Sequence, residues 1–136
     1  MYVTVKYPYI GILKANYDMA SKSIVGGFEK LAGTGSWGAN DGVGAEASFD
    51  QPAQAIVDKN GYIYIAEKFN HWVRQVSPEG VVTRYAGDGG AGNNGFMDGD
   101  MYSAKFNEPE GIAFDNDGNM YVADLQNCRI RLVKNE

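Results

Sequence analysis

Slid along itself by 57 positions, this sequence meets itself again. Asp41-Gly42 falls on Asp98-Gly99, Ala47 on Ala104, Phe49 on Phe106 and Pro52 on Pro109. Farther on, Gly61 meets Gly118, Tyr64 meets Tyr121, Ala66-Glu67 meets Ala123-Asp124 and Asn70 meets Asn127. Val73-Arg74 then meets Ile130-Arg131, and Val76 meets Val133. Ala32-Gly33 matches Ala86-Gly87 at an offset of 54, so the second Gly-rich loop is three residues longer. A repeat of this period is one supersecondary unit that cannot bury its own faces and must stack on a neighbour.

Each unit reads as short strands separated by turns. The first strand is Ala53 to Asp58, or Gly111 to Asp115 in the second unit. Lys59-Asn60-Gly61 and Asn116-Asp117-Gly118 place Asn or Asp before Gly, as hairpins prefer. Tyr62 to Ala66 and Met120 to Ala123 follow, then a tight turn through Phe69-Asn70. The third strand is Trp72 to Val76, or Arg129 to Val133, and Pro78-Glu79-Gly80 leads to a fourth, Val81 to Tyr85. No room is left for a helix longer than about a turn, so the fold class is all-β. Radial stacking of four-stranded antiparallel units makes a β-propeller.

The stretches Asn119-Met120-Tyr121-Val122-Ala123-Asp124 and Asn127-Cys128-Arg129-Ile130-Arg131 resemble an NHL repeat. So do Tyr62-Ile63-Tyr64-Ile65-Ala66-Glu67 and Asn70-His71-Trp72-Val73-Arg74, with the Leu31-Ala32-Gly33-Thr34-Gly35 opening and the Phe49 to Pro52 and Phe106 to Pro109 approaches in bacterial style. The resemblance runs from about Leu31 to the end. It departs from the family pattern at Glu67, Trp72 and Cys128, where the family has Asp, a basic residue and His. Family propellers usually have six blades, so this resemblance implies about half a ring, a C-terminal part of it. Residues 1–30 are expected to be an incomplete first blade, 31–85 a full repeat, and 86–136 a repeat without its outermost strand. In the first, Met1-Tyr2-Val3 echoes Met120-Tyr121-Val122, Tyr9 to Leu13 would be the third strand, and Ser23 to Leu31 the fourth after a hairpin around Asn16-Tyr17-Asp18.

Composition narrows the function. The formal net charge is −5 and no run of five basic residues occurs. That disfavours nucleic acid, whose binding needs clustered Lys and Arg to displace counterions. The single Cys128 allows no internal disulfide and no thiolate zinc site. No apolar run reaches the ~18 residues of a membrane-spanning helix.

The loops 33–48 and 87–103 join an outer strand to the next inner one. They share a face with the turns 68–70 and 125–127, where propeller ligands are usually carried on a rigid scaffold. Trp37, Phe69, Phe96, Glu108 and Gln126 are the candidate binding residues of that face. For metals, Asp115, Asp117 and Asn119 lack the glycine and the final glutamate of a calcium loop. No tightly bound metal is expected; of the two carboxylate clusters, Asp88, Asp98 and Asp100, set among glycines, would suit a hard cation better. His71 stands alone, and Cys128, at the same repeat position, is expected to be a small buried hydrophobe in a strand. Ile130, like Val73, is expected to be buried. Glu67 with Arg74, and Asp124 with Arg131, recur seven residues apart and imply an ion pair built into every blade.

The expected function is a non-catalytic binding module presenting this face to a protein, peptide or glycan, with no cofactor. The rest of the propeller or a second copy would complete the ring. The resemblance adds that such bacterial repeats often belong to secreted or surface-exposed proteins. It also brings a second possibility, a lactonase-like hydrolase or lyase working in the central channel. Such an enzyme needs several channel-facing carboxylates or histidines, and this chain offers mainly Glu108, Glu110 and Gln51. A third, RNA binding, needs a basic aromatic face that the net charge opposes.

Overall fold

The computed structural model describes residues 1–90 and 92–134. Three antiparallel sheets follow one another along the chain as blades of a β-propeller. The first holds β1 (Tyr2–Val5), β2 (Gly11–Asp18) and β3 (Ser23–Ala32) in that order. The middle sheet adds β4 (Gly42–Val43), β5 (Pro52–Val57), β6 (Ile63–Glu67), β7 (Trp72–Val76) and β8 (Val81–Ala86), in spatial order β4-β8-β7-β6-β5. The last holds β9 (Pro109–Phe114), β10 (Met120–Asp124) and β11 (Arg129–Val133). Among the described residues no helix is long and apolar enough to cross a membrane.

The pleat assigns side chains to the two faces of each blade. In β6, Ile63 and Ile65 face the first blade and pack with Ile10, Ile12, Phe49 and Val82. Tyr64 and Ala66 face the last blade and pack with Phe106, Ile112, Met120 and Val122. Every residue of β6 is therefore buried, including Glu67. Tyr64 meets Tyr85 and Phe114 edge-on, with ring centroids 4.8 Å apart in both pairs, a favoured aromatic geometry. The Ala86-Gly87 step that ends β8 brings backbone close to the next blade. Gly87 has φ +101°, and a Cβ there would lie 2.9 Å from the Phe106 ring, so only glycine fits.

Three expectations from the sequence are corrected. Ile130 is 70% exposed, although its counterpart Val73 is fully buried. The repeat equates the two positions, but what buries Val73 is the blade that follows it, and among the described residues nothing follows the last one. Cys128 is exposed and precedes β11 in a left-handed conformation with φ +51°, instead of lying within a strand. In the first blade the third strand is not Tyr9 to Leu13 with a hairpin at Asn16-Tyr17-Asp18; β2 runs through those three residues, with Tyr17 paired to Ile24. The chain turns after Asp18, whose carboxylate accepts the Ala20 and Ser21 N–H groups, an Asx arrangement that moves the turn two residues on.

Candidate functional site

Two copies of one polar network fasten the long loops to the blades. In the middle blade Glu67 accepts from Asp50 N (2.7 Å), Asn70 Nδ2 (3.1 Å), Arg74 Nη1 (3.1 Å) and Trp72 Nε1. Arg74 in turn donates to Ser48 O (3.2 Å), Asn40 O (2.9 Å) and Asp41 Oδ1 (2.6 Å). The last blade repeats it. Asp124 accepts from Asn107 N (2.7 Å), Asn127 Nδ2 (2.8 Å) and Arg131 Nη1 (2.8 Å). Arg131 reaches Lys105 O (3.0 Å), Met97 O (3.0 Å) and Asp98 Oδ1 (2.6 Å). Burial pushes the Glu67 carboxyl up from its ordinary value. With four donors aimed at it and Arg74 beside it, the group is nevertheless held as a carboxylate. Each arginine also lies over aromatic rings: Arg74 over Phe49 and Trp72 (5.4 and 5.1 Å), Arg131 over Phe106 and Phe96 (5.4 and 4.8 Å).

These networks set the loop face. Asn70 Nδ2 donates to Gly38 O and Asn127 Nδ2 to Gly95 O, both at 2.8 Å. Trp37 and Phe69 thus flank the first of these bonds, while Phe96 and Gln126 flank the second. Trp37 is 48% exposed, Phe69 46% and Phe96 51%. Phe96 also carries Arg129 at 4.6 Å, so it belongs partly to the arginine sandwich that Trp72 completes in the middle blade. Glu108 and Gln126 touch, with Nε2 donating to Oε2 at 3.3 Å.

Lys68 was not singled out by the sequence, and it ties the two repeats together here. Its Nζ lies 2.7 Å from Glu110 Oε1 and 3.4 Å from Glu108 Oε2, and the hydrogen bond to Glu110 raises its pKa. Its counterpart in the other repeat is Leu125, so comparing the repeats gave no signal. Glu108 immediately precedes β9 in a left-handed conformation, φ +54°, as Gln51 precedes β5 at φ +48°. The innermost strands β5 and β9 are joined by Ile112 N donating to Gln54 Oε1 at 2.7 Å.

The carboxylates weighed for a hard cation have other partners. Asp98 is taken by Arg131. Asp100 Oδ1 accepts the Tyr102 and Ser103 N–H groups and the Ser103 hydroxyl, and the Ser103 bonds lower its pKa. Asp88 lies 3.8 Å from Arg84. Among the described residues no group of three His, Cys, Asp or Glu is arranged to hold a metal.

His71 links the blades. Its Nδ1 accepts the Glu108 N–H at 3.1 Å, which places the ring proton on Nε2 in the neutral form. Burial lowers its pKa, against smaller opposing pulls from Glu108, Asp124 and Asp50. A proton on Nδ1 would turn this acceptor into a donor facing a donor. The unfolded chain therefore takes up the proton first as pH falls below ~6.5, and stability drops. Urea midpoints of the wild type are expected to fall more between pH 7.5 and 5.5 than those of His71→Asn, which keeps an acceptor at a left-handed position. Equal slopes would remove His71 from the inter-blade contact.

The comparisons agree with this architecture. The family model of the teneurin NHL domain matches residues 42–134. The bovine (Bos taurus) NHL repeat-containing protein 2 is 34% identical over 120 residues, covering 85% of this chain and 16% of that protein. Two solved structures from Bacteroides thetaiotaomicron superpose with TM-scores of 0.80: an auxiliary nutrient binding protein at 30% identity and a candidate phosphatase at 27%. Each alignment covers 93% of this chain and 32% or 31% of the other. The chain thus spans less than a third of any of these three relatives. With two copies of the repeat, its blade geometry and these matches, it belongs to the NHL-repeat β-propeller family.

Proposed function

We propose that the chain is part of a non-catalytic binding module, and that the loop face receives a protein, peptide or glycan. The observation that carries this is the pairing of half-exposed aromatics with loops fixed from below. Trp37 and Phe69 are held at one place by the Gly38–Asn70 bond, so presenting them costs little additional ordering when a partner binds. Beside them Lys68, Glu108 and Gln126 form a polar rim at the start of the innermost strands. Aromatic anchors with a few fixed polar groups suit a ligand site. The similarity to an auxiliary nutrient binding protein supports the same reading.

The hydrolase alternative draws on the candidate phosphatase among the neighbours. The two carboxylates it would use, Glu108 and Glu110, are both engaged by the Lys68 ammonium. A screen of the chain against glycan, peptide, lactone and ester panels tests both. Saturable binding without turnover is expected. Trp37→Ala and Phe69→Ala should each weaken it by about 2 kcal/mol if they are anchors, with stability changed by no more than ~0.5 kcal/mol. Turnover abolished by Glu108→Gln would overturn the binding reading.

A further inference from the structure

At the boundary between the middle and last blades, three aromatic rings and two aspartate-bearing turns enclose a cleft. Tyr64 meets Tyr85 and Phe114 with ring centroids 4.8 Å away in each case and planes 78° and 79° apart, so both neighbours stand nearly upright against it. The β5–β6 turn brings Asp58 beside these rings, and the β9–β10 turn brings Asp115 and Asp117. The cleft that they line holds about 470 Å³, within the roughly 300–1,000 Å³ of small-ligand sites. Lys59 is the one cation of its lining, against three carboxylates. Burial first, then the neighbouring Tyr102 and Asp58, raise the Tyr85 pKa, so the Asp58 charge reaches that ring too. The rings are not part of the repeat frame. Val57 stands at the position of Phe114, and Tyr121, at the position of Tyr64, is 40% exposed.

We infer that this cleft binds a quaternary ammonium group against the rings of Tyr85 and Phe114, in the field of Asp58, Asp115 and Asp117. Aromatic faces carry negative charge density and attract a cation set over them, most of all one that sheds water easily. The quaternary form is selected because the two inner carboxylates offer charge while their oxygens are already engaged. Asp58 Oδ1 accepts the Asn60 and Tyr62 N–H groups at 2.8 and 3.0 Å, and its Oδ2 accepts the Tyr64 hydroxyl at 3.3 Å. Asp115 Oδ1 accepts the Asp117 and Asn119 N–H groups at 3.0 and 2.9 Å, and its Oδ2 accepts Asn119 Nδ2 at 2.9 Å. The Tyr64 hydroxyl oxygen is itself taken by Gln75 Nε2 at 2.9 Å. A primary ammonium brings three N–H donors that would compete for these oxygens, whereas a trimethylammonium brings none. Asp117, exposed at the rim, adds to the field. The same group is found on free small molecules such as choline and on trimethylated lysine side chains. The cleft lies at the opposite ends of β6 and β10 from the turns 68–70 and 125–127, so its failure to bind would leave the proposed function of the loop face untouched.

The probe is choline chloride, titrated into the full chain and followed by calorimetry and by the ring-proton resonances of the aromatic residues. Saturation in the millimolar range or below is expected, with the resonances of Tyr85 and Phe114 shifted. The neutral analogue in which carbon replaces the nitrogen, and ethanolamine with its primary ammonium, should each bind at least about tenfold more weakly. Tyr85→Leu and Phe114→Leu should each weaken choline at least about fivefold, while Tyr85→Phe keeps the ring and the affinity. The leucine variants also thin the packing between blades, so Asp117→Lys, an exposed change, supplies the independent check. It should weaken choline about threefold or more with the melting temperature unchanged. A peptide carrying trimethyllysine that displaces choline, when its unmodified twin does not, supports the inference with a polypeptide as the source; choline binding the more tightly supports it with a small molecule. The inference is overturned if choline does not saturate, if the neutral analogue or ethanolamine binds equally well, or if the folded Tyr85→Leu and Phe114→Leu chains bind choline like the wild type.

Discussion

Replacing Glu67 by alanine is expected to cost about 3–5 kcal/mol, the amount typical of removing one partner from a buried ion pair. The change strips an acceptor from Asp50 N, Asn70 Nδ2, Trp72 Nε1 and Arg74 Nη1 together. Arg74 is itself fully buried, its Nε has no hydrogen-bond partner among the described residues, and its guanidinium would lose its one buried counter-ion. The loss is comparable with the whole stability of a small domain, ~5–15 kcal/mol, and the middle blade should open first. Asp41→Ala removes the other carboxylate on Arg74, but that side chain is 51% exposed and water can replace it. Its cost should stay near ~1 kcal/mol. Urea titrations of both variants test the ordering. A Glu67→Ala chain within about 1 kcal/mol of wild type would show that the network does not hold the loop.

Phe106→Ala is expected to cost about 3–5 kcal/mol through lost transfer energy and the cavity left behind. The ring is 1% exposed, sits in the cluster between the middle and last blades, and lies under Arg131. Ile130→Ala should change stability by no more than ~0.5 kcal/mol, since that side chain is 70% exposed. Tyr121, Ile130 and Leu132 together make the last blade's outer face apolar, at 40%, 70% and 49% exposure. Such a face invites either a further blade or a second copy. Sedimentation velocity of the wild type should show concentration-dependent association that Ile130→Lys with Leu132→Lys abolishes. A wild-type chain that stays monomeric at every concentration would contradict this.

Much of this structure could be read from the repeat. The strands of the two repeat units, and the Glu67–Arg74 and Asp124–Arg131 pairs, follow from spacing alone, because a seven-residue separation across a tight hairpin brings the two side chains onto neighbouring strands. Their burial did not follow, since it depends on the loops 33–48 and 87–103 folding back over the arginines. β4 is two residues long, too short for any alternation to show. Asn16-Tyr17-Asp18 has turn composition, yet Asp18 spends its side chain on the turn that comes after it. The candidate loop residues could be named one by one. The lysine that gathers Glu108 and Glu110 could not, because its role is set by proximity between blades.

The buried ionic networks have a consequence for how such chains grow and shrink. Every member of the first lies between Gly38 and Arg84, and every member of the second between Gly95 and Arg131. No charge is balanced across a blade boundary in either network. A repeat that is copied, deleted or moved at the Ala32-Gly33 and Ala86-Gly87 steps therefore carries its own counter-ions with it. Apolar surface, the His71 contact, the Lys68 pairs with Glu108 and Glu110 and the Gln54–Ile112 bond are what must be matched at the new junction. Gene duplication can lengthen a chain of this kind without stranding a buried charge.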